Sequence, residues 1–407
     1  MPRKLKITIL ASSLAILLFT VLGGYVHVRA SSNEGAYRQL SVYSEVLSRI
    51  RGDYVEEPNI PSVTDGALHG LLESLDANSS YLSADEYRRY KTMKTSGQAD
   101  IGAAVSKRFG YADVVAVIPG GPADRAGIED SDILESIEGK STRDMSLAEI
   151  RAVLAGEPGS NLTVAVVRPR RAEPQKIVIT RDVVAIPPVA DKMLADNVGY
   201  LKVDAFPAGK SQEIAAKIRD LQKQGANKLV LDVRNCASGE ESEGIATANL
   251  FLDHGTITYL QGQKFPRQAF DADPAKDVTK VPVAVLVNHG TAGPAEIVAA
   301  AILENARGDV IGDKTFGDGS IQKLIELRDN SGALILSIAK YYSPGGKSIQ
   351  DAAVTPNVLV AGAEDDGGLP EDEQPPAPED KNAKPKNLQD DQLNKALEVL
   401  KNRESKG

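Results

Sequence analysis

Cysteine is all but missing from this chain. Cys236 is the single one in 407 residues, which rules out an intrachain disulfide framework and any zinc site built on thiolates. Histidine is scarce as well: His27, His69, His254 and His289 stand apart with no ligand spacing, so neither a structural metal nor a cofactor is expected. Positive charge is in deficit. With 47 Lys and Arg against 56 Asp and Glu, the formal net charge is −9, and no nucleic-acid partner is expected. Apolar residues are not lacking: at 42% they can fill real cores, and the length makes two or three domains plus tails the expectation.

Uncharged sequence is concentrated at the N-terminus. Arg3, Lys4 and Lys6 precede twenty uncharged residues from Ile7 to Val26, enough for a helix of about 30 Å. Residues 1–30 are therefore read as a membrane anchor or signal and kept out of the fold. If it is kept, the segment is a single-pass anchor with the basic end inside and the body outside the cytoplasm, in the cell envelope. If it is cut after Ala30, where Val28-Arg29-Ala30 resembles a signal peptidase site, the body is secreted. The length of the run favours the anchor. Residues 363–389 form an acidic, proline-rich linker; "EDDGGLPEDEQPPAPED" (364–380) carries eight carboxylates and four prolines and cannot bury enough apolar surface to order itself. Within 390–407, Leu393, Ala396, Leu397 and Leu400 recur at helical spacing and predict a short amphipathic helix.

Three textures lie between these tails. Residues 31–97 show apolar positions at about 3.6 spacing, as in "DGALHGLLESLD", and predict a helical entry region. Residues 98–182 are rich in glycine and short β-branched runs, so strands with one or two helices are expected. Over 183–362, strand-like "KLVLDVRN" and "VPVAVLVN" alternate with helix-like "SQEIAAKIRDLQKQG" and "AEIVAAAILENA", which predicts an α/β layer.

The middle segment resembles a PDZ domain. The resemblance rests on "DIGAAV" (100–105), "GGPADRAGIEDSDILESIEG" (120–139) and "EIRAVLAGEPGSNLTVAVVRPRR" (149–171). A PDZ module adds an extended peptide to a sheet edge while loop amides cap its terminal carboxylate. The resemblance implies that Ile101, Gly102 and Ala103 form that loop and edge. It puts Leu147, Ile150 and Leu154 on a helix forming the opposite wall, unless those three simply pack the domain core. Ser131 departs from the pattern, which has glycine before Asp132.

The helical lead-in and the α/β segment together resemble the C-terminal processing (tail-specific) serine peptidases of bacteria and plastids, over about 38–400. The motifs are "GLLESLDANSSYLSADEY" (70–87), "LDVRNCASG" (231–239), "VLVNHGTAGPAEIVAAAI" (285–302), "IGDKTFGDGSIQ" (311–322) and "YYSPGGKSIQ" (341–350). The resemblance implies a crotonase-like peptidase core and a membrane-tethered or exported protein. Dimers, or assemblies with an active relative, are further partners that it implies.

The family's catalytic pair is a serine at a helix start and a lysine base 25 residues later. Alignment through Asn288 and Glu296 puts Gly293 on the nucleophile and Asp318 on the base, and Gln322, which helps to orient the lysine, is retained. Glycine has no group to attack a carbonyl, and aspartate cannot act as a neutral amine. The turn Cys236-Ala237-Ser238-Gly239 is also altered, which puts an oxyanion hole at Ser238 and Gly239 in doubt. Gly293 as N-cap, Pro294 at N1 and Glu296 at N3 still make a sound helix start. Among displaced groups, Thr291, Ser320 and Lys314 miss the matching positions by two or four residues, about 7 or 14 Å along an extended chain. Cys236, with His289 as helper, is the remaining candidate nucleophile. Two functions follow: a proteolytically inactive member binding protein C-termini as regulator or scaffold, or an endopeptidase that cleaves near C-termini through displaced residues.

Overall fold

A strand covered on both faces must bury both of its side-chain rows, and Val283–Val287 does so in full. In the computed structural model, residues 38–96, 99–108, 110–168, 171–361 and 390–404 are described. The chain falls into two units, 1–68 and 69–407. The first is helical over 38–53.

In the larger unit, Val283–Val287 lies inside a six-stranded sheet. Its neighbours run in the order Val358–Leu359, Gly308–Gly312, Val283–Val287, Lys228–Asp232, Val198–Lys202, Ala190–Met193. All are parallel except the last, which pairs antiparallel with Val198–Lys202. Alternation sorts the side chains. Val283, Val285 and Val287 join Ile214, Ile218 and Val298 from the helices Lys210–Lys223 and Pro294–Glu304. Ala284 and Leu286 face the other way, onto Ala396 and Leu400 of the C-terminal helix Asp391–Glu404. The amphipathic spacing near the chain end thus marks the helix that closes the second face.

Residues 99–180 build an antiparallel sheet of Ala103–Arg108, Tyr111–Val117, Ile133–Ile137, Asn161–Arg168 and Arg171–Thr180, with the helices Pro122–Arg125 and Leu147–Leu154. Ala103–Arg108 is an edge, pairing only with Tyr111–Val117. Ser131 adopts φ +66°, the left-handed conformation that glycine takes freely, at a cost of about 1 kcal/mol for an L-residue. Its amide donates to the Val114 carbonyl at 2.7 Å, and the adjacent buried Asp132 accepts from Arg168 Nε at 2.7 Å, so the turn is held from both sides.

One expectation is extended and one is corrected. The entry region has its expected helices, over 38–53, Ile60–Glu73 and Ala84–Ser96, but it does not hold helices alone: it also contains the strand Ser80–Ser83, paired antiparallel with Gly332–Tyr342. Leu82 is buried there with Ala333 and Ile335, partners some 250 residues away that a local period cannot reveal. The single-pass membrane anchor is not supported: no helix among the described residues is long and apolar enough to cross a membrane. The segment 7–26 on which that expectation rested, and the linker 363–389, lie outside the described residues.

Candidate functional site

The site begins where Val283–Val287 ends. Asn288 Oδ1 accepts the Asn235 amide at 2.9 Å, and Thr291 Oγ1 donates to the Val233 carbonyl at 2.8 Å. The Ala292 amide donates to the Cys236 carbonyl at 3.0 Å, which ties the turn 288–292 to the turn 233–239. Gly293 follows with φ +59° and ψ −121°, a conformation costly for any side-chain-bearing residue. A Cβ at Gly293 would meet no atom within 4 Å. The elbow is thus intact and opens on free space. Pro294 at N1 starts the helix, and the Gly293 amide donates to Glu296 Oε2 at 3.1 Å.

Glu296 joins the two halves of the site. Its Oε2 also accepts the Asp318 amide at 2.8 Å, while Oε1 accepts the Gly317 amide at 2.9 Å and the Thr315 hydroxyl. Residues 293 and 318 therefore hang from one carboxylate oxygen, closing the 25-residue interval. Glu296 is fully buried, and that burial pushes its carboxyl up to about 8 against the pull of its donors, with the Asp318 charge adding to the rise. Asp318 Oδ1 accepts from Asn78 Nδ2 at 3.1 Å, and a charge attraction acts between Asp318 and Arg151. Gln322 is turned to Ser320: its Nε2 donates to the Ser320 hydroxyl at 2.9 Å and to the Ser320 carbonyl at 3.1 Å.

The displaced candidates are committed elsewhere. Cys236 is wholly buried in the main core, and burial pushes its thiol up to about 12, so no thiolate forms near neutral pH. Exposed His289 packs its ring against Phe316 at 5.5 Å. Thr291 is buried, Ser320 accepts from Asn78 and Gln322, and Lys314 is exposed. The turn 236–239 is partly spent on structure: the Ser238 carbonyl accepts the Phe206 amide at 2.8 Å, and Gly239, at φ +132°, bridges to Phe206.

A cavity of about 310 Å³ connects this site to the edge strand. Ala103, Val105 and Leu154 line one side, Ala237, Ala292 and Asp318 the other. Leu147 and Ile150 are buried in the core of the antiparallel sheet, as is Ile101. Gly102 takes φ +74°, with its carbonyl accepting the Ile118 amide at 2.8 Å. Asn78, Arg151, Phe316 and Asp100 escaped the sequence reading. Asn78 and Arg151 lie inside motifs quoted for other reasons, and only folding brings them to Asp318.

Comparison with known proteins agrees with this layout. The pattern of peptidase family S41 matches residues 197–360, and that of the PDZ domain matches 114–168. A carboxyl-terminal-processing protease of Picosynechococcus is 35% identical over 300 residues, 72% of each chain. A carboxy-terminal-processing protease of Bartonella bacilliformis is 32% identical over 338 residues, 82% of this chain and 77% of its own. The solved structure of a photosystem II D1 C-terminal processing protease matches with a TM-score of 0.64 at 25% identity, over 79% of this chain and 92% of that one.

Proposed function

Since this chain belongs to the carboxyl-terminal processing proteases of peptidase family S41 and carries their PDZ domain, we propose that it binds protein C-termini as a regulator or scaffold without cleaving them. On this reading 98–182 is the PDZ domain, 183–362 the peptidase-like core and 390–407 the C-terminal helix. One observation carries the loss of chemistry. At the elbow the backbone keeps φ +59° and open space, yet the residue is glycine, and the group facing it across Glu296 is a carboxylate. Glycine offers no group to attack a carbonyl, and at 318 there is no amine to take up the proton of an attacking hydroxyl as the family's lysine does. The rescue routes are weak for separate reasons: Cys236 is sealed in the core, and the Thr291 hydroxyl is already donated to Val233.

Binding of C-termini is supported by the edge strand Ala103–Arg108, which pairs with one strand only and whose Val105 carbonyl accepts from Arg151 Nη2 at 3.1 Å, and by the apolar cavity wall that Ala103, Val105 and Leu154 form beside it. The test uses the full chain and an unfolded protein. Wild type is expected to release no fragments. The double substitution Gly293→Ser with Asp318→Lys is expected to give slow hydrolysis, because the Ser Cβ has room and the strain it adds is about 1–3 kcal/mol. Turnover by wild type that disappears on Thr291→Val or Cys236→Ala would overturn the reading in favour of an endopeptidase.

A further inference from the structure

The loop that precedes the edge strand already has an occupant. The Ile101 carbonyl accepts the Ala123 amide at 2.7 Å and the Gly102 carbonyl accepts the Ile118 amide at 2.8 Å, so the loop's carbonyls are turned into the domain. Its amides are the groups left for a ligand. The Asp100 side chain takes them: the Gly102 amide donates to Oδ1 at 3.0 Å, and the Ile101 amide is a second donor. Asp100 is anchored as well, since its backbone exchanges hydrogen bonds with Asp182 at 3.0 and 3.3 Å. The residue is half-buried and lines the cavity that runs along Ala103–Arg108; burial raises its carboxyl above the ordinary aspartate value, against the pull of the Gly102 and Ile101 amides and the Arg181 charge.

An aspartate bonding the amide two residues on is a common way to shape a turn. Here the amides it uses are those a PDZ-type loop offers to a terminal carboxylate. Two carboxylates cannot share them, because the second must give up its donors and meet a like charge within a few ångströms. We propose that Asp100 is a built-in stand-in for the ligand's terminal carboxylate, and that a protein C-terminus enters the groove only by displacing it. The affinity for C-termini is therefore set by this one side chain as much as by the groove wall. The inference rests on reading 101–103 as the carboxylate loop.

The experiment measures binding of a fluorescent octapeptide ending in valine, as the free acid and as the C-terminal amide, to the full chain. Asp100→Ala is expected to bind the acid about tenfold tighter than wild type, the worth of one charge-assisted hydrogen bond regained, with little change for the amide. Asp100→Asn, which keeps an acceptor for the turn and removes the charge, is expected to fall between the two, and it carries the test if Asp100→Ala does not fold. Equal affinity of wild type and both variants for the acid overturns the stand-in while leaving C-terminus binding in place. Acid and amide bound alike by all three chains would overturn the C-terminus reading itself.

Discussion

At the scale of single residues, Glu296 is the group on which the site depends. It is buried and serves two amides from the 315–318 segment, one from the elbow and the Thr315 hydroxyl. Glu296→Ala strands those donors away from water, at about 1–3 kcal/mol for each one left unpaired. We expect a loss of at least about 3 kcal/mol in denaturant unfolding. Glu296→Gln, which keeps an acceptor oxygen, should lose clearly less; equal losses would mean that packing rather than these bonds holds the segment. Cys236 makes an independent check, because it is the only thiol and lies fully buried with its thiol pushed up to about 12. Iodoacetamide at pH 8 should leave the folded chain unlabelled by mass spectrometry and label it once in denaturant. Rapid labelling of the folded chain would reopen Cys236 as a nucleophile.

At the scale of elements, the C-terminal helix Asp391–Glu404 completes the parallel sheet. Asp390 caps it by accepting the Leu393 amide at 3.0 Å, and its two oxygens accept from Arg234 Nη1 and Nη2, each at 2.9 Å. Arg234 is also paired with the buried Asp232 at the end of Lys228–Asp232, one residue before the site's turn begins. The helix is thereby coupled to the strand that delivers Asn235 and Cys236. Leu400 is fully buried on the sheet, so Leu400→Ala should cost about 2–4 kcal/mol. Limited proteolysis should then release the helix at concentrations of protease that leave wild type whole. An unchanged digestion pattern would show that the helix contributes little to the sheet's stability.

At the scale of the whole molecule, titration sets where the fold is most stable. Glu296 is raised from 4.5 to about 8, so the native state holds a proton that the unfolded chain has released, and its contribution is lost as pH rises through that interval. His69, raised above 6.5 chiefly by its hydrogen bond to Glu86, acts in the same sense: its contribution is present below 6.5 and lost as pH rises through the raised value. Glu86 has the opposite sign. Although burial opposes ionisation, His69 and the Ser83 amide hold it down at about 2, so its contribution is present above 4.5 and lost on acidification. From these three groups stability should be greatest near pH 4.5, decline as Glu296 is deprotonated in the unfolded chain, and decline more steeply above pH 6.5 where His69 adds its loss. Thermal midpoints across pH 3–9 test this, and Glu296→Gln should flatten the alkaline slope. A midpoint that climbs steadily from pH 5 to pH 9 would contradict the assignment.

Local chemistry was enough to determine much of this protein. The apolar run in "VPVAVLVN" marked a strand, and Leu393, Ala396, Leu397 and Leu400 marked the C-terminal helix. Gly293-Pro294 with Glu296 marked a helix start that had kept its geometry and lost its hydroxyl. These follow from side-chain period and backbone preference, which act within a few residues. Tertiary structure alone decided the rest, because it depends on partners far apart in the chain. Ser80–Ser83 became a strand only by meeting Gly332–Tyr342. Asn78 and Arg151 came to Asp318 from a lead-in loop and from the helix of another domain. Glu296 changed from a helix-capping charge into the buried bridge between elbow and base position, since burial, unlike spacing, cannot be read from neighbours in sequence.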